Sequence, residues 1–180
     1  LALFNQKEGN KMNAIATVKP VFQTWKTIKL GTSLKTADDF RNAFKYAGVK
    51  IDDRANDALG QSIFTVSAEE MEVELVVVSK TELGFKTETE SVRSKEIYAR
   101  AEEFGLKLCS SEVAPQLLLQ GFGKPVFGNK LIVAMKPIAI SNGKAQTFHV
   151  VKDSDSVGGY SLTSYDGFAD RQSFTEHYFL

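Results

Sequence analysis

The chain has 180 residues, 43% of them hydrophobic and 24% charged, and its 22 basic residues balance its 22 acidic ones. A chain of this size buries most of its unfolded surface, roughly 70% near 150 residues, so it needs no staples and one globular domain is expected. Zero net charge supplies no long-range attraction for nucleic acid or an anionic membrane, and no window approaches the roughly 18 apolar residues of a membrane span.

The single cysteine, Cys109, excludes an intramolecular disulfide and suits a reducing compartment, so the cytoplasm is expected. Leu1 to Phe4 is too short for the apolar part of a signal peptide. Lys7-Glu8-Gly9 can be encoded by a purine-rich ribosome-binding sequence just before Met12. Residues 1–11 are therefore expected to be translated leader or a disordered arm, with translation starting at Met12 and residues 12–180 forming one domain.

In chain order, TWKTIKL over 24–30 is rich in β-branched residues and predicts a short strand between Pro20 and Gly31. Thr36-Ala37-Asp38-Asp39 has the hydroxyl and carboxylate of a capping box. Phe40, Ala43, Phe44 and Ala47 follow on one helical face, and Gly48 ends the helix. Asp52 or Asp53 opens a second short helix that ends at Gly60, and the two are expected to form a helical hairpin. Residues 70–79, with Val73, Leu75, Val76, Val77 and Val78, form an almost continuous apolar run, as expected of a strand covered on both faces and central to the sheet.

After the polar loop at 86–90, Ser91 or Ser94 is expected to cap a helix carrying Ile97, Tyr98, Ala101 and Phe104 to Gly105. Ser110-Ser111-Glu112 caps a last helix, with Pro115 tolerated near its start and Leu117, Leu118 and Leu119 at its end. From Lys130 the pattern is β. LIVAMKPIAI and AQTFHVV flank Asn142-Gly143, a tight-turn pair, and two further strands cover 160–165 and 173–179. The reading is α+β: helices mostly before residue 120 and an antiparallel meander in the C-terminal third, packed with a central strand near 73–79.

No constellation matches a known chemistry. Asp153, Asp155 and Gly158 stand where a calcium loop has carboxylates and its glycine, but Val157 and Ser164 occupy ligand positions, so a polar hairpin loop explains them. Gly121-Phe122-Gly123-Lys124-Pro125 lacks the spacing and the hydroxyl of a phosphate-binding loop. Cys109 with His149 or His177, oriented by Asp166, could build a thiol hydrolase or transferase. Its apolar neighbours Leu106 and Leu108 argue instead for a buried structural thiol. No cofactor or metal is called for, since one cysteine and two distant histidines lack ligand spacing.

Glu69, Glu70, Glu72 and Glu74 make a solvated strand entrance or a docking surface for a basic partner. Phe122 and Phe127 in the glycine-rich loop, with Tyr160, Tyr165 and Tyr178 in the C-terminal sheet, are the candidate binding residues for a protein or a small molecule. Homodimer formation is compatible with the same surfaces.

TWKTIKLGTSLKTADDFR, DRANDALG, EVELVVVSKTELGF, IYARAEEFGLKLCSSEVAPQLLLQ and LIVAMKPIAI together resemble a family of small uncharacterised bacterial proteins of environmental genomes and mobile, integron-type gene cassettes. The likeness runs from Trp25 to Ile140 and implies no activity or site residue. At the C-terminus, FTEHYFL departs from the basic and aromatic ending of that family. The expectation is a non-enzymatic binding or interaction module, with the Cys109 hydrolase or transferase as the alternative.

Overall fold

The computed structural model describes residues 22–121, 129–167, 172–173 and 177–179. In chain order the elements are β1 (Lys26–Leu30), α1 (Ala37–Ala47), α2 (Asp53–Leu59), β2 (Met71–Leu75), β3 (Val77–Val78), β4 (Val92–Arg93), α3 (Ser94–Glu103) and α4 (Val113–Leu119). There follow β5 (Lys130–Val133), β6 (Ile138–Ala139), β7 (Ala145–Lys152), β8 (Tyr160–Asp166), β9 (Gln172–Ser173) and β10 (His177–Phe179). The α+β class holds, with the helices before residue 120 and an antiparallel sheet behind them.

Local chemistry accounts for the first helices. Thr36 Oγ1 accepts the amide of Asp39 at 3.2 Å while the Asp39 carboxylate accepts that of Thr36 at 2.8 Å, which closes the capping box. At the other end Gly48 takes a φ of 67° and returns its N–H to the last turn of α1. Asp52 caps α2 through the Ala55 amide at 2.7 Å and also accepts the amide of Ser164, so one side chain starts the helix and fastens it to β8. Arg41 links the two helices by donating to the Asn56 side chain and carbonyl.

Two helix starts differ from expectation. Arg93, neither Ser91 nor Ser94, occupies the N-cap of α3, and its amide is taken by the Glu96 carboxylate. At α4 the N-cap is Glu112, whose side chain caps no backbone amide of its own helix and accepts those of Gly31 and Ser67 instead.

The apolar run at 70–79 is two strands rather than one. β2 pairs antiparallel with β1 in a two-stranded sheet, whereas β3 stands at the end of the order β3-β10-β5-β7 in the main sheet. Its position is therefore terminal, whereas β10, β5 and β7 are each paired along both edges, β7 by β5 and β6 on one side and β8 on the other. The split falls at Val76: Leu75 packs into the larger core and Val76 into the smaller. β5 to β10 is a parallel pair, and β4 pairs with β9. The turn between β6 and β7 forms as expected, with Lys144 N–H on the Asn142 side chain at 3.0 Å and Gly143 at a φ of 80°.

Alternation along β5 divides the interior. Leu131 and Val133, with Met135 beyond them, join Phe40, Phe44, Leu117 and Phe148 in the larger core, while Ile132 and Ala134 join Val78, Leu83, Ile97 and Ala101 in the smaller. Helices α1, α2 and α4 thus cover one face and α3 the other. Each fully buried Leu, Ile or Phe stabilises the fold by about 1.5–3 kcal/mol.

Candidate functional site

The segment at 105–110 leaves α3 and runs beside the main sheet. Cys109 donates its amide to the Ala134 carbonyl at 2.8 Å and forms a parallel bridge with Met135, and its side chain packs against the larger core. Burial pushes the thiol up to about 12, so at neutral pH it is a protonated apolar group and not a nucleophile.

His149 lies elsewhere. It stands opposite Ile132 and Thr163, and directly opposed residues share a face, so it occupies the Ile132 side while Phe148 and Val150 on either side point into the larger core. The sheet therefore separates His149 from Cys109. The imidazole packs against Tyr165 with centroids 4.9 Å apart, its Nε2 lies 3.3 Å from Thr147 Oγ1, and Lys130 Nζ is 5.1 Å from the Tyr165 centroid on that face. His177 is in β10 beside Leu131. Its side chain is outside the described residues.

Two cavities flank the 105–110 segment. A cavity of about 600 Å³ separates it from β2, with Met71, Val73 and Leu75 on one wall and Leu106, Leu108 and Cys109 on the other. Glu74, Lys107, Ser67 and Ser110 add the polar groups at this groove. A second cavity, of about 520 Å³, lies on the far side of residues 108–110, against Ile63, Lys136 and Pro137. Apolar walls with a few polar groups are the usual composition of a ligand site.

The groove is held in shape by a buried carboxylate. Glu112, wholly enclosed, accepts the amides of Gly31 at 2.8 Å and Ser67 at 2.9 Å and the Gln116 side chain at 2.9 Å. From the other end, Lys35 Nζ donates to the carbonyls of Gly31, Ser67 and Ala68. Two loops distant in sequence are thereby fixed between one anion and one cation, which stabilises both charges with hydrogen bonds. Ser111 adds a further tie through both polar groups of the Thr65 backbone.

The other sequence candidates fall as follows. Tyr160 is a correction: at 9% exposure it belongs to the larger core and offers no binding surface. Tyr165, 39% exposed, does reach the surface. Tyr178 is in β10 opposite Val78, with its side chain outside the described residues; Phe122, Phe127 and residues 1–11 with Met12 are likewise outside them.

In the 153–158 loop, Asp153 accepts the Asp155 amide at 3.0 Å and Asp155 pairs with Lys50 at 3.1 Å. The carboxylates serve a hairpin loop docked on the segment after α1. Lys29 of β1 pairs with Glu70, just before β2, at 2.8 Å and holds its carboxyl below the ordinary range.

Glu112, Lys35 and the groove walls went unread in the sequence. One signal existed: VAPQLLL in α4 is apolar at every position but Gln116, which marks a buried helix.

No protein-family model, curated protein or solved structure matches the chain. Among the described residues no helix is long and apolar enough to cross a membrane, and no group of His, Cys, Asp and Glu is arranged to hold a metal ion.

Proposed function

We propose that the protein is a non-enzymatic binding module of the cytoplasm whose site is the groove between β2 and residues 105–110. The observation that carries this reading is the apolar cavity of about 600 Å³ walled by Met71, Val73, Leu106 and Leu108. A preformed apolar concavity with a few polar groups favours binding, and a protonated thiol with His149 across the sheet gives it no nucleophile of the cysteine–histidine kind.

Titration with a set of small apolar fragments, followed by backbone amide NMR, tests the reading. Shift changes are expected to cluster at residues 71–76 and 105–110 and to saturate. Fragments that leave those amides unmoved, or that scatter over the surface, would remove the support.

A further inference from the structure

Among the described residues the outer edge of β2 pairs with no strand. Lys29 gives both its backbone groups to the Gln120 side chain, N–H to Oε1 at 2.8 Å and carbonyl from Nε2 at 2.6 Å, so these groups point away from β2. In an antiparallel pair, opposed residues are alike in this respect. Glu72, opposite Lys29, and Glu74, opposite Thr27, therefore turn their own N–H and carbonyl groups away from β1, and Glu74 lines the groove. The free edge of β1 is closed by Gln120 and Glu112, but among the described residues no strand lies on the outer side of β2. At β3 the same run is continued by β10; past the end of β5, Cys109 bonds the Ala134 carbonyl and bridges Met135, and β2 diverges to leave the cavity.

An edge with unused main-chain groups beside an apolar slot is the geometry of strand addition. Charge selects the occupant. Glu72 and Glu74 are exposed on one face of β2, and Glu70, exposed just before the strand, is paired to Lys29, whereas Val73 and Leu75 face the larger core. A second copy of this strand would set glutamate against glutamate, and like charges directly opposed repel. A strand alternating basic and apolar residues matches both faces.

We propose that the groove takes an extended basic peptide, added as a third strand to the free edge of β2. This rests on the binding reading above and names the class of partner.

The probe is an end-blocked hexapeptide alternating lysine and valine, titrated into the full chain and followed by calorimetry and amide NMR. Binding with the Glu72 and Glu74 amides shifted is the expected result. The double variant Glu72→Lys with Glu74→Lys, both exposed positions, should weaken it by about fivefold, since each opposed charge pair adds a fraction of a kcal/mol. A peptide N-methylated at its lysines, the residues opposed to Glu72 and Glu74, should not bind, because their main-chain bonds carry the affinity.

Equal binding of a glutamate–valine peptide would overturn the proposal, as would a sedimentation result in which a second copy covers β2. If apolar fragments occupy the groove and the lysine peptide does not bind, the peptide proposal alone fails. If neither binds, the binding reading fails with it.

Discussion

Glu112 accepts the amide of Gly31 at 2.8 Å across 81 positions of sequence, and the same carboxylate reaches the Ser67 amide at 2.9 Å. This one side chain joins the loop after β1, the loop before β2 and the start of α4, and so sets the distance between the walls of the groove. Replacing it by alanine leaves two backbone donors and the Gln116 side chain without their acceptor. Glu112→Ala should lose about 3 kcal/mol of stability, and Glu112→Gln about half of that, because an amide oxygen still accepts. Urea unfolding monitored by circular dichroism measures both; a loss under about 1 kcal/mol for the alanine variant would contradict the role.

Gly31 faces a second constraint. Its φ is 65°, and a Cβ there would collide with the Glu69 carbonyl. Gly31→Ala is therefore expected to cost about 3 kcal/mol or more, through both backbone strain and the displaced 67–69 loop. Gly143→Ala is the control: it has a φ of 80° with open space around it, so only the strain, about 1 kcal/mol, should appear.

The thiol gives a pH prediction. Cys109 stays protonated in the folded chain up to about 12, against an ordinary value of 9.0. Between those limits the unfolded state holds fewer protons than the folded one. The associated stability is thus complete below 9.0 and declines as pH rises toward 12, by up to about 1.4 kcal/mol per pH unit. Unfolding measured at pH 8 and pH 10 for wild type and Cys109→Ala isolates this share, and the variant should show the flatter decline. Alkylation of Cys109 at pH 7 should be far slower than that of a small-molecule thiol; a fast reaction would restore the nucleophile reading.

Tyr160 and Tyr165 separate core from surface. Tyr160→Ala should cost about 3 kcal/mol, as expected for an aromatic ring removed from a packed interior, and Tyr165→Ala less than about 1 kcal/mol. Thermal unfolding of the two variants side by side gives the comparison.

Local signals in the sequence were legible where the chemistry is local. The Thr36 and Asp39 box, Gly48 and the Asn142-Gly143 turn all depend on neighbours within a few residues, and each forms as the residue types require. Legibility failed where a long-range partner decides. Val73 to Val78 announces burial but not which strand it pairs with, so its division at Val76 between two sheets was hidden. Ser111 and Glu112 have the composition of a helix cap, yet Thr65, Gly31 and Ser67 claim them. The groove exists only because β2 and residues 105–110 diverge in space, and no spacing along the chain encodes that.

Binding of apolar fragments to two variants, Met71→Arg at the half-exposed rim of the groove and Cys109→Ala at its inner wall, separates the roles most directly. Affinity should fall by about tenfold or more in Met71→Arg, where a charged side chain enters the apolar slot, and change by less than about threefold in Cys109→Ala. Unchanged binding in Met71→Arg, or its loss in Cys109→Ala alone, would contradict a binding groove that works without thiol chemistry.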